Sequence, residues 1–322
     1  MRIYKYADSH ICRLALFASY SHLINMFSFT KYSTIYYIFS VILIIVSIAS
    51  LIIFGLKFGI EFTGGTNIEI EFLDSRPGNE ELSSKIAALG LGEISIQQLG
   101  QKQAVLRLKE IDEAAHQKII AKLNESYKIQ ENNFQYIGPS VGNEIKNKTL
   151  VAVLLALLAI TLYIALAFRK VSRPVASWKY GITSLIALFH DILIPLGAFS
   201  VLGKFYNVEI TIPIIAALLT VLGFSVHDTI VIFDRIRENI LKKSAESFFK
   251  TIDLSLNQTL GRSVSTVATT LFVMVAVFFF GGQTLKFFAL ALIIGISSGA
   301  YSSIFIAGPL LATWQKWEEK RG

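Results

Sequence analysis

Six long apolar runs divide the chain, and each is long enough to cross a membrane as a helix. About 20 consecutive, mainly apolar residues are needed to span the hydrocarbon core of a bilayer. The runs occupy residues 35–54, 150–168, 180–202, 210–233, 263–280 and 287–314. The pattern therefore predicts an α-helical polytopic membrane protein with six transmembrane helices.

Residues 57–148, between the first two runs, show the shorter periods of a small α/β domain. Strand-like alternation and helical spacing follow one another in the order β-α-β-β-α-β. The predicted elements are Thr66–Phe72, Glu80–Leu89, Ile94–Leu99, Ala104–Leu108, Asp112–Asn124 and Lys128–Gln135. This order favours a ferredoxin-like sheet.

The rest of the chain divides into a segment of residues 1–34, a five-helix bundle over residues 149–314 and a tail of residues 315–322. Within the first segment, Leu14–Phe29 is apolar but interrupted by polar residues, so we predict that it lies at the membrane interface. It lacks the clear cleavage site of a secretory signal peptide.

Positive charge is concentrated on alternate loops, and this predicts the orientation. Residues 1–34 and 169–179 carry four Lys/Arg each, residues 234–262 carry six and the tail carries three. The short loops on the opposite side carry only Lys204 and Lys286. The positive-inside rule then places both termini in the cytoplasm and the α/β domain on the extracytoplasmic side.

Composition narrows the class of protein further. The chain is 53% hydrophobic and 16% charged, with a mean hydropathy of +0.56, whereas about a quarter of a soluble domain is charged. One cysteine, Cys12, excludes a disulfide framework. The net charge of +7 lies beside the apolar runs, which indicates a membrane protein and no nucleic-acid partner. We find no phosphate-binding loop, metal-ligand cluster or activated nucleophile, so we expect no cofactor, metal site or enzymatic activity.

Two carboxylates, Asp191 and Asp228, interrupt apolar runs. An ionised carboxylate at the centre of a span costs about 2.5–3.5 kcal/mol on insertion scales, so such residues usually face the bundle interior and serve an ion or proton path. The alternative is an acid that hydrogen-bonds a neighbouring helix and fixes its packing. We favour the proton path for Asp228 and leave both interpretations open for Asp191.

Other polar residues accompany Asp228 in the sequence. Ser225 and Thr220 are spaced to share its helical face, and we interpret His227 as a packing residue. A polar stripe runs along the fifth span and must face protein or water; its members are Gln258, Arg262, Ser265, Thr266 and Thr269. Arg262 either pairs with Asp228 or anchors the helix end at the membrane surface.

Small residues form two further patterns. In the last span they recur every four positions, at Ala291, Gly295, Gly299, Ser303 and Ala307. This ridge predicts the close approach of a neighbouring helix, from this chain or from a partner. Glycines flank the α/β domain at Gly59, Gly64, Gly65, Gly138 and Gly142, and we interpret them as hinges between this domain and the bundle.

Four segments together carry a resemblance to a known family. They are Gly59–Thr66 (GIEFTGGT), Ile137–Gly142 (IGPSVG), Phe224–Asn239 (FSVHDTIVIFDRIREN) and Asn257–Ser263 (NQTLGRS). The chain resembles the SecF family, the smaller membrane subunits of the bacterial SecDF accessory translocase in the resistance-nodulation-division superfamily. It departs from the family pattern at Glu61, where Asp is usual, and at His227, where Asn is frequent.

The resemblance implies a role, a location and partners. A SecF subunit lies in the bacterial cytoplasmic (inner) membrane, pairs with SecD and uses the proton motive force in the later stage of polypeptide translocation. The implied partners are SecD, the SecYEG channel, YajC/YidC-type factors, the translocating polypeptide and membrane lipid. The implied proton-path residues are Asp228, Arg262 and Asp191.

The same sequence features are compatible with two other functions. The first alternative is a proton-driven half-transporter that exports lipids or small molecules; exporters of that superfamily usually carry larger or repeated external domains. A membrane scaffold is the second, and it predicts that neutralising Asp228 changes only stability.

Overall fold

The computed structural model describes residues 27–91, 94–167 and 175–319. The predicted interfacial stretch Leu14–Phe29 therefore lies almost wholly outside the described residues, as does most of the 169–179 loop. In chain order the elements are α1 (Ser33–Phe54), α2 (Ile60–Thr63), β1 (Gly65–Phe72), α3 (Asn79–Ala87), β2 (Ser95–Leu99), β3 (Gln103–Leu108), α4 (Glu113–Asn124), β4 (Ile129–Ile137), α5 (Pro139–Ala167), α6 (Ser177–Tyr206), α7 (Ile212–Leu241), α8 (Phe248–Phe280), α9 (Gly282–Ser302), a π-helical turn (Ser303–Ala307) and α10 (Gly308–Glu319).

Six helical segments in the described part of the chain are long and apolar enough to cross a membrane, and α9, the π turn and α10 together form the sixth. The predicted number of spans is confirmed. Few residues in the apolar stretches of α1, α5 and α8 are buried, whereas about half of the corresponding residues of α6, α7 and the combined α9–α10 helix are buried. The latter three helices therefore form the interior of the bundle.

Several helices extend beyond the apolar runs that predicted them. The run 150–168 belongs to a helix that begins at Pro139, and the run 263–280 belongs to one that begins at Phe248. The fixed φ of Pro139 suits a first helical turn, and the Ser247 hydroxyl accepts a hydrogen bond from the Lys250 amide at the start of α8. The α/β domain consequently ends at Ile137 rather than at residue 148, and most of the predicted loop 234–262 is helical.

The four strands form one antiparallel sheet in the order β2-β3-β1-β4. All six predicted elements of this domain occur in the predicted order, with their ends shifted by a few residues. Alternate residues of β1, Ile68, Ile70 and Phe72, are buried and pack with side chains of α3 and α4 such as Leu82 and Ile119. The opposite face of the sheet is polar.

Candidate functional site

Asp228 lies near the middle of α7, and its side chain is largely buried against α8. Its Oδ1 accepts a hydrogen bond from Ser263 Oγ at 2.6 Å. Its Oδ2 is buried without a hydrogen-bond partner among the described residues. Because an ionised carboxylate has about four acceptor positions, most of the acceptor capacity of Asp228 is unused.

The hydroxyl at Asp228 is that of Ser263, which is not a member of the predicted polar stripe, and the stripe residues Ser265 and Thr266 do not meet the carboxylate. Both of those residues are exposed on α8, and Ser265 points about 200° away from Ser263 around the helix. A second row of hydroxyl residues, spaced by four positions, marks the buried face: Thr251, Ser255, Thr259 and Ser263. This row was the sequence signal for the correct face.

The predicted polar stripe lies on the outside of the chain. Gln258, Arg262, Ser265, Thr266 and Thr269 are all exposed. Only Gln258 is seen to reach α7, where its Oε1 accepts hydrogen bonds from Arg235 Nε at 2.7 Å and from Asn239 Nδ2 at 2.8 Å.

Arg262 is exposed and lines an open cavity of about 520 Å³ at the end of the bundle away from the sheet. Arg235 and Arg237 line the same cavity. Within the described part of the chain, the ion pairs formed by arginines include none between Arg262 and Asp228. The guanidinium is therefore not the direct partner of the carboxylate in this conformation.

Asp191 on α6 is fully buried and is surrounded by donors. Ser225 Oγ of α7 and Ser302 Oγ of α9 donate to Oδ2 at 2.5 and 2.7 Å. Ser298 Oγ donates to Oδ1 at 3.3 Å, and His190 Nδ1 lies 2.9 Å from the same oxygen. This one carboxylate therefore holds three helices together.

Ser225 donates its hydrogen bond to Asp191 and not to Asp228. This corrects the interpretation from helical spacing, which grouped Ser225 with Asp228. Spacing along one helix shows which residues share a face, but only the neighbouring helix decides which of them it meets. Thr220 is exposed and donates to its own helix at Ala216 O. His227 is exposed as well.

The ridge of small residues in the last span packs on α7 of the same chain. A Cβ atom added at Gly295 would lie 2.3 Å from a methyl carbon of Val221, and one added at Gly299 would lie 3.0 Å from Ser225 Cβ. Ser303 Oγ lies 2.9 Å from Thr229 Oγ1. Because Gly295 and Gly299 lack side chains, α9 approaches α7 closely, and Ser298 and Ser302 then reach Asp191.

Four of the five predicted hinge glycines are closely packed, and we call the whole set the glycine joint: Gly59, Gly64, Gly65, Gly138 and Gly142. Gly64 and Gly65 have φ values of 74° and 132°, which L-residues rarely adopt. A Cβ at Gly142 would lie 2.8 Å from Gly64 N, so the start of α5 touches the turn into β1. At Gly138 no added-atom contact would be closer than 3.7 Å.

Within the described residues, no group of three or more His, Cys, Asp or Glu side chains is arranged to hold a metal ion. The chemistry of the bundle interior rests on the buried carboxylates Asp191 and Asp228 and the hydroxyls around them; a third buried carboxylate, Asp253 on α8, accepts hydrogen bonds from Ser28 and Thr30. Such groups bind, release and relay protons.

The fold and the two carboxylates define a multi-spanning helical membrane protein with a small sheet domain. The family model "Protein export membrane protein SecD/SecF, C-terminal" matches residues 116–317, and "SecD/SecF GG Motif" matches residues 49–72. The second match contains the Gly64-Gly65 turn. These matches define the class: a membrane protein of Sec protein export.

The chain belongs to the SecF family of protein translocase subunits. It is 45% identical over 306 residues to protein translocase subunit SecF of Thermobaculum terrenum, covering 90% of this chain and 94% of that protein. It is 38% identical over 288 residues to protein translocase subunit SecF of Desulfurispirillum indicum, covering 86% of this chain and 88% of that protein.

A solved structure supports the same assignment. The crystal structure of SecDF, a translocon-associated membrane protein from Thermus thermophilus, superposes with a TM-score of 0.80 at 32% identity over 90% of this chain. SecDF in a super-membrane-facing form gives a TM-score of 0.66 at 30% identity. This chain spans 39% of the first of these longer SecDF chains and 40% of the second.

Proposed function

We propose that this chain works with SecD and uses the proton motive force to promote the later stage of polypeptide translocation. The observation that carries the proposal is Asp228, a buried carboxylate with one oxygen hydrogen-bonded and the other free of a partner among the described residues. One elementary charge that crosses 100 mV supplies about 2.3 kcal/mol. A proton binding at Asp228 couples to that source.

The proposed setting is the bacterial cytoplasmic membrane. The concentration of Lys and Arg on alternate loops supports cytoplasmic termini and an extracytoplasmic sheet domain. The strand order β2-β3-β1-β4 supports a ferredoxin-like description of that domain.

In the proposed cycle, Asp228 alternates between protonated and ionised states as the bundle opens to each side. The Ser263 hydroxyl stabilises the ionised form by donating to Oδ1. Arg262 precedes Ser263 on the same helix, so a modest rotation of α8 brings its charge nearer to Asp228. Arg262 is then the second member of the proton path.

Asp191 is the third member of the proposed proton path, and its role is to hold α6, α7 and α9 in place around Asp228. Its donor Ser225 lies one helical turn before Asp228 on α7, so a change of charge at Asp228 is felt by the network that ties α7 to α6 and α9. We propose that this network keeps the three helices together while Asp228 exchanges its proton.

The exposed stripe supports the assignment of a partner. A row of polar side chains on a spanning helix must face protein or water, and the stripe on α8 contacts little else in the described chain. We assign SecD to this face. The SecYEG channel, YajC/YidC-type factors, the translocating polypeptide and membrane lipid are the further proposed partners, and nucleic acid is not one. The glycine joint passes the helix movement to the sheet domain.

Preprotein translocation into inverted membrane vesicles tests the proposal. The ATP-driven stage is completed first, and a proton gradient is then imposed with SecD present. We expect Asp228→Asn to abolish gradient-driven completion at matched membrane levels. The matched control is Asp234→Asn, which removes a carboxylate from the exposed end of the same helix and should retain completion.

Full gradient-driven completion with Asp228→Asn would overturn the proton-coupling proposal and leave Asp228 as a packing residue. If native vesicles consume the imposed proton gradient without any preprotein present, the half-transporter alternative is favoured instead.

A further inference from the structure

A cluster of charged residues connects the sheet domain to the bundle at a point the sequence motifs do not mark. Arg107 Nη1, on β3, lies 2.7 Å from Glu209 Oε1, in the loop between α6 and α7. Lys57 Nζ, in the segment that follows α1, lies 3.6 Å from the same oxygen. We call Lys57, Arg107 and Glu209 the ion cluster.

The Arg107–Glu209 pair of the ion cluster is buried, unlike an ordinary surface salt bridge, whereas the Lys57 side chain is 35% exposed. The side chains of Arg107 and Glu209 are only 15% and 6% exposed. Exposed ion pairs contribute little because water screens them, whereas a charge buried beside one partner is strongly destabilised when that partner is lost. Contact between the sheet and the loop therefore depends on both charges.

Two backbone hydrogen bonds hold the loop in place beside the ion cluster. Ile210 N donates to Lys57 O at 2.7 Å, and Gly59 N donates to Ile210 O at 2.9 Å. These bonds fix the 207–211 loop to the segment that leaves α1. The ion pair between Glu209 and Arg107 then connects this loop to the sheet itself.

The loop is also the direct continuation of both carboxylate helices. Asp191 lies on α6, which ends at Tyr206, and Asp228 lies on α7, which begins at Ile212. From Ile212 to Asp228 the helix rises by about 24 Å. A tilt or shift of α7 at Asp228 therefore displaces the start of the helix at Ile212. Glu209, three residues earlier in the loop, is displaced with it.

Two cavities under the sheet share Arg107 and Glu209 in their linings. One, of about 190 Å³, also contains Glu61 and Glu69, and the other, of about 730 Å³, contains Thr63 and Lys109. The ion pair thus stands between two spaces into which the sheet domain and the loop have room to move apart.

We propose that the Arg107–Glu209 ion pair is the positioning contact that sets the sheet domain on the bundle, and that it opens and closes during the transport cycle. This inference rests on the proposed function, because it assigns the step by which helix movement reaches the sheet domain. Closed, the pair makes the sheet domain follow α6 and α7. Open, it leaves the domain attached through the glycine joint, the packing of α2 on the bundle and the chain segments that enter and leave the domain.

The charge state of Glu209 gives the contact a dependence on pH. Burial raises the pKa of Glu209, the charges of Arg107 and Lys57 oppose that rise, and Glu61 adds to it. Glu209 therefore binds a proton at a milder pH in the closed contact than in the open state, where it is exposed. Acidification on the sheet side then favours the closed contact, and a rise in pH favours the open one.

Distance measurement between paired spin labels tests the proposal in proteoliposomes of the full chain with SecD. One label replaces Lys118 on α4 and the other replaces Phe205 at the end of α6, both exposed, after replacement of Cys12. For the native cluster we expect one short and one longer distance, with the share of the longer distance falling on acidification. Glu209→Gln should show the same shares at both pH values, and Glu80→Gln, an exposed acid elsewhere on the sheet domain, should behave as native.

The double variant Arg107→Gln/Glu209→Gln removes both charges and leaves no unpaired buried ion, so it separates positioning from folding. We expect native membrane levels, loss of the pH-dependent distance change and gradient-driven completion lowered roughly fivefold or more. An unchanged distance and an unchanged completion rate in this variant would overturn the proposal.

The same assays separate this inference from the proposed function. If Asp228→Asn loses completion while the double variant keeps both native readouts, the ion pair has no positioning role and the proposed function stands. If Asp228→Asn keeps completion, the proposed function fails, while a native pH-dependent distance change that Glu209→Gln abolishes still supports the contact.

Discussion

Asp191 and Asp228, two buried carboxylates of the bundle, differ mainly in how completely they are hydrogen-bonded. Asp191 has three serine hydroxyls and the His190 ring within 3.3 Å, and its side chain is inaccessible. Asp228 receives one hydroxyl, from Ser263, and keeps one oxygen without a partner among the described residues. The two acids lie on different helices, and Ser225, the donor to Asp191, lies one helical turn before Asp228 on α7.

The difference shows that an acid in a membrane span is not one kind of residue. A saturated carboxylate has no acceptor position left for a new proton unless a hydrogen bond breaks, so its main effect is to hold helices together. An unsaturated one is costly to keep ionised and accepts a proton readily. The comparison therefore predicts that replacing Asp191 mainly lowers stability, whereas replacing Asp228 mainly lowers gradient-driven transport.

The largest expected effect on stability comes from Asp191→Ala. The change leaves three hydroxyls and one imidazole without their acceptor, and each intramembrane hydrogen bond contributes about 0.6 kcal/mol on average. We expect the free energy of unfolding to fall by about 2 kcal/mol or more, whereas Asp228→Ala should lower it by less than about 1 kcal/mol. Unfolding midpoints in detergent measure both, and equal losses would remove the distinction between the two acids.

A smaller loss is expected from Gly299→Ala. The added Cβ would lie 3.0 Å from Ser225 Cβ and 3.5 Å from Asp191 Oδ2, so α9 must move away from α7 and stretch the Asp191 contacts. Overpacking of this kind costs about 1–3 kcal/mol. Gly261→Ala is the control, since its Cβ meets no atom within 4 Å and alanine favours a helix over glycine by about 1 kcal/mol. If both variants were stabilised, the close approach at Gly299 would be irrelevant to the Asp191 network.

The smallest expected effect distinguishes two serines of α8. Ser263→Ala removes the hydrogen bond to Asp228, and a bond of this kind contributes about 0.5–1.5 kcal/mol. We expect gradient-driven completion to slow roughly two- to tenfold, with little change in unfolding. Ser265→Ala, two positions along the same helix, should have no effect. The reverse result would restore the outward-facing stripe as the partner of the carboxylate.

Much of this architecture could be predicted from the pattern of apolar residues. Length and periodicity are local properties, and they were enough for six spans and for the order of strands and helices in the sheet domain. The ends of the helices were less predictable, because α5 and α8 continue through polar residues that lie beyond the hydrocarbon core. Pro139 and Ser247 mark those starts through local chemistry.

The partners of the carboxylates could not be predicted from spacing alone. The residues Asp191, Asp228, Arg262 and Ser225 stood out because polar groups are rare in apolar runs. Which hydroxyl meets which acid depends on the rotation of each helix against its neighbours, and this assigned Ser225 to Asp191 and Ser263 to Asp228. The Arg107–Glu209 contact joins residues about 100 positions apart, and no local pattern announces such a pair.

The π-helical turn at Ser303–Ala307 accounts for the length of the small-residue ridge. Positions four apart drift by about 40° around an α-helix, because four steps of 100° exceed one full turn. The ridge from Ala291 to Ala307 would therefore wind away from its neighbour, yet Ser303, Ala307 and the following Leu311 stay buried. The wider π turn, with its i→i+5 bonding, cancels part of this drift. It also lets adjacent serines serve different partners, since Ser302 donates to Asp191 and Ser303 pairs with Thr229. The π turn thus keeps the buried face of the last span directed toward its neighbours. Deleting one residue from the turn would rotate α10 and its buried side chains away from those contacts.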